Sequence, residues 1–286
     1  MRTLSTRALR VQFLIGFMTL VVSCLLQPLA VAMTPRFRLM TPQTVLRLES
    51  LERDADHSYF RPSGDAVSGF PTNNAAAYHR SPCPCLNSLA NHGYLPRDGK
   101  NLTPALIKKA IIDVFHLDES LAETLSSKLP PTLTLADLSE HNFIEHDASM
   151  VHDDVFFGHD PSQVNSTLVD TLLARADPKA QRITKKVIAH FRRDRENECA
   201  KTDPKYDFGL KRQAAAYAEA AAFLLAMGDY HEESISVDHA RSFLLDEKIP
   251  DNWERSPVPI TTSKALYVAA QIKAMSLYPW TMASAY

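Results

Sequence analysis

From Thr103 to Ser276 the chain reads as one amphipathic helix after another, and nothing in it reads as a convincing pair of strands. The segment "TPALIKKAIIDVFHL" opens with Thr103 as a hydroxyl cap and Pro104 at the first helical position, followed by apolar residues at helical spacing. "DESLAETLSSKL" stops at Pro130-Pro131. "SQVNSTLVDTLLARA", "ITKKVIAHFRRDRENECAK", "KRQAAAYAEAAAFLLAMG", "SVDHARSFLLDEK" and "TTSKALYVAAQIKAMS" follow, each bounded by Pro, Gly, Asp or Ser. Eight glycines against eighteen prolines tell against a sheet with many tight turns and against glycine-rich phosphate loops. No linker divides the helical part, and 286 residues suffice to bury a full core. One all-α domain over residues 54–276 is expected, after a lead segment at 33–53 and before a tail at 277–286. Within it, residues 54–82 form a polar loop with aromatics, of a length that compact domains usually keep for function.

The first 32 residues follow a different logic. Arg2, Arg7 and Arg10 precede the apolar run "FLIGFMTLVVSCLLQPLAVA", which Gln27 and Pro28 interrupt and Ala30-Val31-Ala32 ends. A positive start, an apolar centre and a small-x-small end describe a secretory signal peptide, with an uncleaved membrane anchor as the competing reading. Removing it takes three positive charges from a net −2 and leaves −5, a mildly acidic secreted product with no basic surface for nucleic acid and no stable membrane association. Cys83, Cys85 and Cys199 then remain, an odd number in a compartment that permits disulfides. One thiol at least has another task or a partner in a second chain, which leaves a disulfide-linked dimer open. The sequons at Asn101 and Asn165 suit the same compartment, and Asn165 is the better acceptor if Thr103 is occupied in capping.

Three constellations carry chemistry. In "SPCPCLNSLANHG", Pro82 and Pro84 fix the backbone around Cys83, and a short helix from Cys85 to His92 closes at Gly93. Cys83 therefore sits just before a helix start, where free N–H groups and the helix dipole favour a thiolate. A thiolate held so suits a metal, although a bridged cysteine fits the same residues. In "LADLSEHNFIEHDASMVHDD", Glu145 and Ser149 offer hard oxygens to Mg²⁺ or Ca²⁺, and a solvated acidic loop is the plain alternative. In "KRQAAAYAEAAAFLLAMG", Glu219 lies among alanines with Arg212 seven residues earlier. It is either an exposed edge residue or one kept for proton work, sharing its face with Ala215, Ala216, Ala222 and Phe223.

Taken in order and spacing, "RSPCPCLNSLANHGYLPRDG", "LSEHNFIEHDASMVHDD" and "YAEAAAFLLAMGD" resemble the signatures of secreted heme-thiolate peroxidases, the chloroperoxidase-like haloperoxidases and unspecific peroxygenases. The resemblance implies an all-α single domain of about eight to ten helices enclosing a buried heme b. It implies Cys83 as the axial thiolate and Glu219 as the distal acid–base. Glu145, the carbonyl of His146 and the hydroxyl of Ser149 become ligands of Mg²⁺ or Mn²⁺. Two partners for Glu219 are open: His146, held by Asp147, or Arg212. Cys85 stands where relatives commonly carry a small residue. Ala222 replaces a phenylalanine frequent in peroxygenases, which leans toward an open distal cavity. The implied activity is H₂O₂-dependent oxidation of, or oxygen insertion into, organic substrates, with halide oxidation beside it. Two other readings stay open: a nonheme metalloprotein using His141, His146 and His152, and a binding protein on the same scaffold with reduced catalysis.

Overall fold

The computed structural model describes residues 57–278. The expectations for the signal peptide, the lead segment and most of the tail fall outside the described residues. Among those described there are eight α-helices: α1 (Pro84–Asn91), α2 (Pro104–Phe115), α3 (Glu119–Ser126), α4 (Ser166–Leu173), α5 (Lys185–Thr202), α6 (Leu210–Ala222), α7 (Val237–Leu244) and α8 (Thr262–Ser276). None is long and apolar enough to cross a membrane. The protein is mainly α, as its helical periodicity requires.

Local chemistry sets the helix starts. Thr103 accepts from the Leu106 amide at 3.2 Å, Asp118 from Ser120, Thr184 from Val187, Ser236 from His239 and Thr261 from Lys264. Each bond satisfies one of the free donors of a first turn. Asn165 caps α4 by accepting from Leu168, and its Nδ2, the atom a glycan would occupy, donates to Asp153 at 2.7 Å. Asn101 is exposed, so the geometry favours the other sequon from the one the sequence suggested.

The strand-free expectation needs correcting. A parallel pair joins β1 (Val67–Ser68) to β2 (Tyr78–His79), and an antiparallel pair joins β3 (Arg182–Thr184) to β4 (Ser234–Ser236). These ladders are too short to show periodicity, yet Ile183 and Ile235 meet in the core across the second one.

Helix α8 packs against both α5 and α6. Tyr217 on α6 ties the three together, its hydroxyl reaching Glu196 at 2.8 Å on α5 and Ser276 at 3.0 Å on α8. After Ala222 the helix widens into a π-helical turn, Phe223–Met227, a feature that recurs at functional sites. Phe223, whose N–H still bonds the Glu219 carbonyl, is packed into the core at 7% exposed.

The polar loop expected over 54–82 is described from residue 57, and there it straps the α1 side. Phe60 N–H donates to Asn91 O, Tyr59 Oη to Asp246 O at 2.6 Å and Arg61 to Leu245 O at 2.8 Å. Gly99 seats this layer on the rest. It has φ +68°, and a Cβ there would lie 2.2 Å from the His79 carbonyl oxygen. Gly99→Ala is therefore expected to destabilise by about 2 kcal/mol or more, since both the left-handed backbone and the space are denied. A urea midpoint equal to wild type would contradict this.

Candidate active site

Cys83 occupies the N-cap of α1 with φ −104° and ψ 104°, the extended conformation that a following proline imposes, and Pro84 is the first helical residue. Its backbone is pinned at both ends. The Cys83 N–H donates to Ser81 Oγ at 3.1 Å, and its carbonyl accepts from the Asn87 N–H at 3.1 Å. Its side chain makes no capping bond.

The thiol of Cys83 is held below its usual range. The largest cause is a hydrogen bond from the Cys85 thiol; burial opposes it, the Leu86 N–H supports it, the charge of Glu219 opposes it, and the Cys85 N–H supports it. Cys85 moves the other way, well above a normal thiol, because it donates to Cys83 and is buried beside it. The second cysteine is thus a donor to the first, not a bystander. Cys199 is buried and pushed up to about 12, chiefly by desolvation.

Glu219, on α6, lies near enough for its charge to act on Cys83. Glu219 is 55% exposed, and its Oε2 lies 3.2 Å from His146 Nε2. The His146 ring is buried against Phe208, with centroids 5.4 Å apart. Its Nδ1 donates to the backbone carbonyl of Asp147 at 2.7 Å, which commits that nitrogen to carrying hydrogen. A carbonyl can only accept, so the mobile proton of the pair sits between Nε2 and Oε2. Burial lowers the basicity of His146, but the charge and hydrogen bond of Glu219 outweigh it, and the net shift is upward.

The family motif has the Asp147 side chain hold the histidine; here the backbone carbonyl does it. The Asp147 carboxylate instead accepts from the Asp207 N–H at 2.8 Å, across sixty residues of sequence. The Arg212 guanidinium is directed elsewhere than Glu219: it pairs with Asp207 at 3.3 Å and hydrogen-bonds Asn142. Of the two partners the sequence left open, the geometry brings His146 to the glutamate.

Helix α5 fixes the loop that delivers His146. Arg192 donates to the Ala148 carbonyl at 3.3 Å and Arg195 to the Ser149 carbonyl at 3.0 Å, while the Ala148 N–H donates to Asp154 Oδ1 at 2.9 Å. Ser149 Oγ accepts from the Val151 and His152 N–H groups, both at 3.2 Å. Glu145 is buried and pairs with His141 at 2.7 Å; burial raises its carboxyl against the pull of that histidine. His141, Glu145 and Asp147 gather ligand atoms within 4.8 Å of one another, a set that suits a hard divalent cation.

The reading that joins His141, His146 and His152 in one metal centre does not hold. His141 goes to Glu145 and His146 to Glu219. His152 is buried with both ring nitrogens unpartnered and is pushed down to about 4 by desolvation. Sequence reasoning missed the Asp207 amide, the cage of arginines behind the loop, and Ser81 and Asn87 behind Cys83. Only the last two stood near enough to the cysteine in sequence to be suspected.

The sequence profile of Peroxidase, family 2, matches residues 57–258. The chain is similar to the aromatic peroxygenase of Coprinellus radians, 31% identical over 207 residues, covering 62% of this chain and 78% of that protein. It is equally similar to the aromatic peroxygenase of Cyclocybe aegerita, 31% over 208 residues, but spans 56% of its length. The chloroperoxidase of Leptoxyphium fumago matches at 35% over 75 residues, 23% of this chain and 20% of that protein. The chain belongs to peroxidase family 2, a heme-thiolate family, and is an oxidoreductase that acts on peroxide.

Proposed function

We propose that this protein is a secreted peroxygenase that uses H₂O₂ to insert oxygen into organic molecules, R–H + H₂O₂ → R–OH + H₂O, with halide oxidation as a side activity. The observation that carries the reading is the His146–Glu219 contact at 3.2 Å, in a chain whose Cys83 thiol is held below its usual range. Bound heme b would supply cleavage of the peroxide O–O bond, which an axial thiolate favours. Cys83 fits that role by its depressed basicity and by the N–H and S–H donors aimed at its sulfur.

The rest is the work of this chain's own side chains. Glu219 Oε2 would accept a proton from H₂O₂ and return it to the departing oxygen, so that water leaves rather than hydroxide. His146 Nε2 holds Glu219 in the orientation and charge state for that transfer. Phe208 and Arg192 behind the imidazole prevent it from turning away.

Two experiments test this reading. With ¹⁸O-labelled H₂O₂ and an aromatic substrate, the hydroxyl of the product should carry the label. Product with oxygen from water only would point to one-electron oxidation and remove the peroxygenase reading. Glu145, the His146 carbonyl and Ser149 are read as ligands of Mg²⁺ or Mn²⁺ near the cofactor. Glu145→Ala should then lose the divalent ion and weaken heme retention, as elemental analysis and the heme-to-protein absorbance ratio will report. Active wild type free of Mg²⁺, Mn²⁺ and Ca²⁺ would end that assignment.

A further inference from the structure

Glu247 stands 160 residues from Asn87 in sequence and is bonded to it. It follows α7 in a left-handed conformation, φ +49°, where glycine or asparagine would sit at less cost. Its side chain turns inward and is 2% exposed. A glutamate kept in a strained backbone position with its charge buried is retained for what the carboxylate touches.

It touches two groups. Oε2 pairs with Arg61 Nε at 3.0 Å, and Oε1 accepts from Asn87 Nδ2 at 2.6 Å. A carboxylate so paired only accepts, so it decides which end of the Asn87 amide faces it. The other end, Oδ1, is thereby directed at Ser81, where it accepts from the N–H at 2.9 Å and from Oγ–H at 3.0 Å. With its hydrogen spent on Asn87, Ser81 Oγ is left as an acceptor, and it takes the Cys83 N–H at 3.1 Å. The second Nδ2 hydrogen of Asn87 goes to the Ser81 carbonyl at 2.7 Å. The Ser81 hydroxyl also lies 3.4 Å from the Cys83 carbonyl, but Asn87 Oδ1 is its nearer acceptor, and successive bonds along Arg61–Glu247–Asn87–Ser81–Cys83 polarise one another.

We infer that Glu247 is a positioning residue for the axial thiolate: through the fixed amide of Asn87 and the hydroxyl of Ser81 it sets the backbone of Cys83 and hence the direction of its sulfur. This rests on the reading of Cys83 as the heme ligand. Reversal of the Asn87 amide would put its NH₂ against the Ser81 N–H, two donors face to face. Ser81 would lose its acceptor, and the Cys83 N–H would lose its fixed partner.

The test uses the heme-loaded protein and the ferrous–CO spectrum, which separates thiolate from neutral axial ligation. Glu247→Ala should lower the ratio of thiolate-type to neutral-type band by about fivefold, the change one net hydrogen bond makes in a two-state ratio. Glu247→Gln, which still offers an oxygen to Asn87, should restore most of it. Tyr59→Phe removes the strap's bond to Asp246 without touching the chain, so it reports loosening of that layer alone. It should leave the band unchanged even where it lowers the melting temperature. If Glu247→Ala does not fold, Ser81→Ala breaks the last link and should move the ratio the same way. A full thiolate band in a folded Glu247→Ala or in Ser81→Ala overturns the inference, as does a band that follows melting temperature across all variants. A wild type without the thiolate band would instead remove the ligation reading, and this inference with it.

Discussion

Cys83→His should give a folded protein whose ferrous–CO complex absorbs at the neutral-ligand position, far to the blue of the thiolate band, and whose H₂O₂-dependent oxygenation is lost. The fold should survive because the Cys83 side chain makes no capping bond, while the bonds of its backbone to Ser81 and Asn87 do not depend on the side chain. Pro84 stays at the first helical position and keeps α1 in place. The chemistry should not survive. An imidazole donates less electron density along the axis than a sulfur anion, and that push is what weakens the peroxide bond. The donors now serving the sulfur, the Cys85 thiol and the Leu86 and Cys85 N–H groups, would face a ring nitrogen with no lone pair to spare for them. Loss of turnover by about 10³-fold or more is expected, since a difference of ~4 kcal/mol at the barrier already produces it. A variant with the wild-type band, or with oxygenation near the wild-type rate, would show that Cys83 is not the ligand.

What could be read in advance divides by the range of the interaction. Helix starts were legible because caps are local: Thr103, Asp118, Ser236 and Thr261 each bond an amide two or three residues ahead. Cys83 was legible for the same reason, since two prolines and a helix start act on it within a few residues. Proximity between distant segments was not. Arg212 stands seven residues before Glu219 and so belongs to nearly the same helical face, yet Asp207 and Asn142 hold its guanidinium elsewhere. The carboxylate of Asp147 goes to an amide beyond α5, and no spacing rule announces that. Asn165 looked free for a glycan, but a local cap and a bond to Asp153 occupy both ends of its amide. Periodicity places Phe223 in register with Glu219, and its N–H does bond the Glu219 carbonyl; the π-helical turn alters the register only beyond it.

Glu219→Gln is the second large effect expected: the heme spectrum should be unchanged, while the first reaction with H₂O₂ slows by ~10²-fold or more, the usual scale for a lost general acid–base. The amide is isosteric and can still face His146 Nε2, so orientation is kept and only proton affinity is removed. His146→Ala should cost a similar factor, because the 3.2 Å contact orients a carboxylate that is more than half exposed. Asp147→Asn should cost less than His146→Ala, for the group that holds Nδ1 is the backbone carbonyl, which the substitution leaves in place. Arg212→Ala should be milder as well, acting only through Asp207 and the loop that carries Asp147. Glu219→Gln combined with His146→Ala should be scarcely slower than either alone, since two groups sharing one proton fail together. Stopped-flow mixing with H₂O₂ separates these cases. A Glu219→Gln protein reacting at the wild-type rate would place the proton route elsewhere. An Arg212→Ala protein slower than His146→Ala would mean that the guanidinium leaves Asp207 during the reaction and takes over the carboxylate.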